Sequence, residues 1–200
     1  YDNNWLALAK WLFDKKNPLT SRVFVNRMWQ EFFGRGLVKT SGDFGMQGDM
    51  PSHPELLDWL AVDFRDHDWD IKRLIKQMVM SATYRQSAAV SKEKLTSDPE
   101  NILLSHSSRK RLTAEGVRDL ALSSSGLLVN EIGGPSMKVY QPKGIWESST
   151  SGRGVLARYV QDHGNDLYRR GLYSFIKRTV PPPGMLVFDG SNRDQCEVNR

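Results

Sequence analysis

The sequence contains a single cysteine, Cys196, among its 200 residues. One cysteine cannot close an intrachain disulfide, build a cysteine-rich zinc site or form the C-x-x-C-H attachment of a c-type haem. The four histidines are scattered, and no two have the H-x-x-x-H spacing of a helical metal site. We therefore predict that this segment binds no cofactor and needs no structural metal.

Long apolar runs and several enzyme signatures are also missing. Charged residues interrupt every apolar segment before it reaches the ~20 residues of a membrane-spanning helix, so we predict no membrane span. The sequence has no G-x-S-x-G elbow and no Walker loop. Asp43-Phe44-Gly45 spells the metal-binding tripeptide of kinases, but no H-R-D loop accompanies it. We reject the kinase interpretation and assign Gly42, Gly45 and Gly48 to a loop with positive φ angles.

The composition is that of a globular protein, with 39% hydrophobic and 26% charged residues. The net charge of +5 lies in the second half, where residues 101–200 carry 14 basic and 9 acidic side chains. Ten of these 14 cations are arginines, whose planar forks pair well with carboxylate, sulfate or phosphate. The same arginines could instead be solvated or internally paired, which is the commoner state. Nucleic acid is a disfavoured partner because no recognised motif supports it.

Helical periodicity and capping residues predict a mainly α fold, an antiparallel or orthogonal array of about five helices in residues 1–126. The predicted helix starts are Asn3 or Asn4, Thr20 or Ser21, the capping-box spacing Ser52-His53-Pro54-Glu55, Asp70 and Thr113. We expect seven apolar side chains of this part to be mostly buried: Trp5, Phe24, Trp29, Leu57, Leu60, Leu74 and Met78. In the fifth helix, Val117, Leu120 and Ala121 should face inward.

Residues 127–200 are predicted to form a loop-rich, Gly/Pro/Arg-rich part of the same domain. Glycine and proline number 11 in the first 126 residues and 14 in the last 74. Residues 156–161 and 172–177 can pair as a short hairpin across the turn at residues 162–165, although the second segment can also form a short helix.

Three polar groupings each admit two interpretations. The helix with Arg22 and Arg27 can bind an anion or pair with the acidic helix that holds Asp58 and Asp63, and we favour the pairing. The segment Thr83-Tyr84-Arg85-Gln86-Ser87 suits a ligand loop or a buried polar tether. Glu115, Arg118 and Asp119 share one helix face, where they can perform acid/base chemistry or form a salt-bridge network, and we favour the network.

Many ordered motifs of this sequence closely resemble a planctomycete-specific domain, family 1553 of the domain-of-unknown-function series. The motifs that carry the resemblance are Asn17-Pro18-Leu19-Thr20-Ser21-Arg22, Val25-Asn26-Arg27-Met28-Trp29-Gln30, Phe33-Gly34-Arg35-Gly36-Leu37-Val38, His53-Pro54-Glu55-Leu56-Leu57-Asp58-Trp59-Leu60, Arg111-Leu112-Thr113-Ala114-Glu115 and Tyr168-Arg169-Arg170-Gly171-Leu172-Tyr173. The resemblance covers essentially the whole chain.

The resemblance implies a setting rather than a mechanism. Proteins of this family are typically large and exported, to the periplasm or outside the cell, and often carry a c-type cytochrome domain upstream. The chain resembles the first part of the domain only, so we expect it to be truncated at its C-terminus. Asn199 stands where the family pattern leads us to expect arginine. No catalytic residues are established for the family.

Two function classes remain. The first is a helical module of a large exported, cytochrome-linked protein, which scaffolds or presents substrate to a redox domain; its partners would be upstream domains of the same polypeptide, with haem only in a separate domain. The second is an enzyme or binding domain for an anionic extracellular polysaccharide.

The predicted anion site consists of charged and hydrogen-bonding side chains that the packing of five helices does not require. Its members are Arg27, Asp43, His53, Tyr84, Arg85, Arg169, Arg170 and Arg178. We expect them to converge at the junction of the helical and loop-rich parts, near the N-terminus of the helix that begins at Ser52. His53 can equally serve only to cap that helix.

Overall fold

The computed structural model describes residues 4–149, 158–177, 179–188 and 190. Its α-helices are α1 (Trp5–Leu12), α2 (Leu19–Phe33), α3 (Pro54–Asp66), α4 (Ile71–Met80), α5 (Lys92–Ser97), α6 (Ala114–Ser124), α7 (Ile145–Ser148) and α8 (Pro183–Val187). Two 3₁₀ helices span Gly164–Tyr168 and Gly171–Tyr173. Within the described ranges, β pairing is limited to isolated bridges. The prediction of a mainly α fold is confirmed.

The chain divides into two compact units at the Lys110–Arg111 bond. The rise in glycine and proline content begins only near residue 126, after this boundary, because α6 resembles the preceding helices in sequence. In the structure α6 contacts the 3₁₀ helix Gly171–Tyr173 and α8, so it belongs to the second unit. No helix in the described part of the chain is long and apolar enough to cross a membrane.

Side-chain caps begin three of the helices where the sequence predicts them. Asn4 accepts a hydrogen bond from the backbone N–H of Ala7 at the start of α1. Asp70 and Thr113 likewise cap α4 and α6. Each side-chain oxygen satisfies a backbone donor that the first turn of a helix leaves without an intrahelical partner.

The core of the first unit is built from α2, α3 and α4. Its fully buried apolar side chains are Val25, Trp29, Phe33, Leu37, Val38, Leu57, Leu60, Phe64, Leu74 and Met78. The predicted burial is confirmed for Trp29, Leu57, Leu60, Leu74 and Met78, and Phe24 is partly buried against this core. The i, i+3, i+4 spacing of these residues gives each helix one apolar face toward its neighbours.

The predicted burial of Trp5 is wrong, because its side chain is 86% exposed. Helix α1 has no buried residue, and its apolar side chains surround the helix instead of forming one stripe. The unit holds this segment through Phe13, whose ring packs edge-on against Trp69 at 5.0 Å. Of the three α6 residues predicted to face inward, Val117 is partly buried, whereas Leu120 and Ala121 are exposed. The prediction of an inward face is therefore wrong for Leu120 and Ala121.

The capping box predicted at Ser52 is absent. Helix α3 begins at Pro54, and its N-cap His53 makes no side-chain capping bond. The Ser52 hydroxyl donates instead to the Leu37 carbonyl at 3.2 Å. Because Pro54 fits the first helical position, Ser52 lies one residue too early to cap.

The loop glycines 42, 45 and 48 do not adopt the predicted positive φ angles. Gly48 is required for a different reason. A Cβ atom built on Gly48 would lie 2.2 Å from the Asp43 carbonyl oxygen, closer than any side chain tolerates. This close approach of two backbone segments is invisible in the sequence.

The predicted hairpin is not formed by its described residues. The second segment pairs instead with Met137, and Asp162, the first residue of the predicted turn, pairs with Lys138. The Met137 carbonyl accepts from Phe175 N at 2.7 Å, and the Lys138 carbonyl accepts from Asp162 N at 3.1 Å. The second segment begins as the 3₁₀ helix Gly171–Tyr173, which agrees with the alternative that we left open. Residues 156 and 157 lie outside the described residues.

Candidate functional site

Five predicted anion-site residues lie in the first unit, and no hydrogen bond, ion pair or ring contact found in the described residues joins any two of them. Arg27 and Arg85 are exposed and form no ion pair within the described part of the chain. Asp43 accepts a hydrogen bond from Gly45 N at 2.7 Å. The Tyr84 ring packs against Phe33 and Phe32, while the His53 Nδ1 atom lies 3.0 Å from the neighbouring Ser52 hydroxyl.

Two predicted residues lie in the second unit, where both are engaged in local structure. Arg169 is 5% exposed, donates to the carbonyls of Gly133 and Pro135, and stacks over the Tyr173 ring at 4.2 Å. Arg170 pairs with Asp119 at 3.0 Å. Arg178 lies outside the described residues.

In the first unit, the favoured pairing of the helix with Arg22 is confirmed, and for the polar segment 83–87 a contact supports one of the two interpretations that were left open. Arg22 pairs with Asp58 at 2.6 Å, as the acidic helix suggested. The Gln86 side-chain amide donates to the Leu104 carbonyl at 2.9 Å, so the polar segment that contains it acts as a tether. The first unit also contains a small cavity of about 230 Å³ bordered by Arg35 and Glu100, which pair with each other.

The second unit contains an open cleft of about 350 Å³ with mostly apolar walls. Helix α6 forms one wall and the segment around α8 forms another. Its lining residues are Ala114, Val117, Arg118, Ala121, Leu122, Val139, Tyr140, Ser174, Pro182, Pro183, Gly184, Met185 and Phe188. A volume of this size falls within the ~300–1,000 Å³ typical of small-molecule sites.

A buried aromatic group holds Val139, one wall residue of the cleft. The Tyr159 hydroxyl donates to the Val139 carbonyl, and its ring packs against Trp146 at 4.7 Å between centroids. Burial raises the pKa of Tyr159 to about 12, with a smaller contribution from the Asp162 charge. The hydroxyl therefore stays protonated and keeps donating at neutral pH.

Arg118 is the one cation among the side chains that line this cleft. Its Nη2 atom donates to the Leu167 carbonyl and lies 4.0 Å from the Met137 sulfur, whereas the buried Nε atom has no hydrogen-bond partner in the described part of the chain. Desolvation lowers the pKa of Arg118, and the charge of Asp119 only partly opposes this effect. Asp119 itself binds Arg170 and the backbone N–H of Gly171, so Arg118 has no ion pair within the described residues.

Ser174 is the second polar side chain of note in the cleft. It is 7% exposed, and its hydroxyl oxygen is buried without a hydrogen-bond partner among the described residues. The segment that carries Ser174 is fixed by its bridge to Met137. The cleft thus combines apolar walls with two side chains, Arg118 and Ser174, that each keep a polar atom without a partner among the described residues.

Sequence reasoning grouped Arg118 with Glu115 and Asp119 and favoured a salt-bridge network over acid/base chemistry. The network forms between Asp119 and Arg170, and Arg118 turns to a carbonyl. Ser174 carried no sequence signal, because its position depends on long-range pairing with Met137. No cluster of three or more metal-ligating side chains occurs among the described residues.

The chain belongs to a protein family without an assigned function. The family model described as PSD1, protein of unknown function (DUF1553), matches residues 4–200. This match agrees with the motif resemblance that extends along the whole sequence. No match to the chain was found among curated proteins or among solved structures.

Proposed function

We propose that the second unit is a binding module for a compact, largely apolar small molecule, which enters the cleft between α6 and α8. The observation that carries this proposal is the cleft itself, with apolar walls at Val117, Val139, Met185 and Phe188. Apolar side chains at an open cleft gain free energy when a ligand removes their surface from water. The described residues of the cleft include no nucleophile with an adjacent base, and we therefore propose binding rather than catalysis.

The test is a fluorescence titration with N-phenyl-1-naphthylamine, a neutral dye that brightens in apolar surroundings. We expect saturable binding to the whole chain and loss of that binding in Ala121→Trp, whose indole would occupy the cleft. Ser123→Trp is the matched control, because Ser123 is exposed on the same helix and does not line the cleft. Binding that is absent from the wild type, or equal in both variants, would contradict the proposal.

The wider setting is also a proposal. The motif resemblance supports a module of a large exported, cytochrome-linked polypeptide, in which this chain would present a bound molecule to a redox domain. The full-length sequence tests it directly. A secretion leader and a C-x-x-C-H motif upstream are expected, whereas an N-terminal domain start without a leader would count against both export and haem linkage.

Anionic polysaccharide binding is a second candidate, favoured by Arg27 and Arg85 of the first unit, which are exposed and form no ion pair with any described residue. We expect Arg85→Ala to weaken binding of a sulfated oligosaccharide, more so at low salt, where charges are less screened. Lys76→Ala, an exposed cation on α4, controls for net charge. Equal weakening in both variants would indicate attraction by overall charge and no defined site.

A further inference from the structure

We propose that the molecule bound between α6 and α8 carries a carboxylate, which Arg118 and Ser174 bind at the wall of the cleft. The inference rests on the proposed function, because a carboxylate reaches these two side chains only if the cleft admits a ligand. It adds the chemical class of that ligand, a short hydrocarbon with one acidic head.

The first support is the unbalanced charge of Arg118. The carboxylate whose charge acts on it, Asp119, is already shared between Arg170 at 3.0 Å and Gly171 N at 2.5 Å. A partly buried cation whose neighbouring carboxylate is engaged elsewhere has lost hydration that this charge only partly replaces. An anion in the cleft would restore this balance, and guanidinium binds carboxylate in a planar, charge-assisted geometry.

The second support is the unused hydroxyl of Ser174, which is independent of Arg118. A buried hydroxyl without a partner is unusual, because its desolvation is not compensated. A serine side chain can change rotamer at small cost and can donate to an oxygen that enters the cleft. One carboxylate has two oxygens, one for the guanidinium and one for this hydroxyl.

The remaining wall fits the other end of such a molecule. Val117, Val139, Met185 and Phe188 present no charge to the cleft. An apolar alcohol would pack against them equally well but would leave Arg118 without a counter-ion. A phosphate would bring more oxygen atoms than one guanidinium and one hydroxyl can satisfy.

The experiment compares octanoate with 1-octanol as competitors for bound N-phenyl-1-naphthylamine. The two molecules have the same number of carbon atoms and differ at the head group. For the wild type we expect octanoate to displace the dye at about tenfold lower concentration than octanol, the effect of one hydrogen bond to a charged group. In Arg118→Gln this preference should disappear, while displacement by octanol should stay unchanged.

Two controls keep the result interpretable. Arg158→Gln removes one exposed positive charge from the same unit outside the cleft, and should retain the preference for octanoate. Ser174→Ala removes only the hydroxyl, so it should reduce the preference without abolishing it. If Arg118→Gln fails to fold, as judged by circular dichroism, Ser174→Ala and the wild-type comparison still decide the question.

The outcomes separate the two proposals. Dye binding that is blocked by Ala121→Trp, with no preference for octanoate over octanol in the wild type, would overturn the carboxylate while leaving the apolar site intact. Absence of dye binding would overturn the proposed function and this inference together. A preference for octanoate that survives Arg118→Gln would overturn the role of Arg118.

Discussion

At the scale of single residues, buried polar side chains hold loops in place through hydrogen bonds to the backbone. Asn26 is the clearest case, because it is 0% exposed and pairs with both backbone groups of Val38. Its amide nitrogen donates to the Val38 carbonyl at 3.0 Å, and its oxygen accepts from Val38 N at 2.8 Å. The side chain thus makes the two backbone hydrogen bonds that a neighbouring strand would make in a sheet.

We expect Asn26→Ala to destabilise the first unit, since it leaves two buried backbone groups of Val38 without partners. Each unsatisfied group costs about 1–3 kcal/mol. Urea unfolding monitored by circular dichroism would measure the change, with Gln47→Ala as a control on an exposed amide. Equal midpoints for the two variants would show that the Asn26 bridge contributes nothing.

The ion pair of Asp63 with Arg73 predicts a pH dependence of stability. The Arg73 hydrogen bond lowers the pKa of Asp63, against a smaller opposing effect of burial. The ion pair therefore stabilises the fold above the unfolded aspartate pKa of about 3.9, and its contribution is lost as the pH falls through the lower folded value.

Asp63→Asn should accordingly unfold at lower urea concentration than the wild type at pH 7, with the difference shrinking as the pH drops below about 4. Asp49→Asn, a change at an exposed carboxylate, should leave the midpoint unchanged at both pH values. A difference for Asp63→Asn that persists unchanged at acidic pH would contradict the assignment.

At the scale of elements, helix positions follow from local chemistry and were largely predictable. Asn4, Asp70 and Thr113 cap the helices at which the sequence places them, because capping depends on residues only two or three positions apart. Predictions that depended on distant partners were less accurate. The apolar character of α1 suggested burial of Trp5, but the described chain provides no core against that face.

The loop between α2 and α3 provides a test of backbone packing. Gly48→Ala would place a Cβ atom 2.2 Å from the Asp43 carbonyl oxygen, so the loop must shift. We expect a loss of about 1–3 kcal/mol, typical of overpacking. In Gly45→Ala the nearest atom is the Asp43 side-chain oxygen at 3.1 Å, which can move, so thermal unfolding should change less. A larger loss of stability in Gly45→Ala than in Gly48→Ala would contradict this packing.

At the scale of the whole molecule, the absence of cysteine and histidine clusters in the sequence predicts independence from metal and haem. The purified chain should be colourless, and a chelator should leave its far-ultraviolet circular dichroism unchanged. Elemental analysis is the direct measurement. A stoichiometric metal that survives dialysis and whose removal unfolds the chain would contradict the prediction.

The candidate cleft illustrates what sequence reasoning cannot supply. Arg118 was recognisable as one of several charged residues on a helix, but its lack of a counter-ion depends on Arg170, 52 residues away, which binds Asp119. Ser174 is buried because Met137 pairs with its segment, again over a long sequence separation. Sites formed by such long-range competition for partners leave no local motif.

The most direct test of ligand binding by the second unit is a crystal structure of the whole chain grown with octanoate. We expect the hydrocarbon chain between α6 and α8, in contact with Val117 and Met185, and the carboxylate within hydrogen-bonding distance of Arg118 and Ser174. A cleft that stays empty under saturating octanoate, or one filled by another segment of the same chain, would contradict the proposed function.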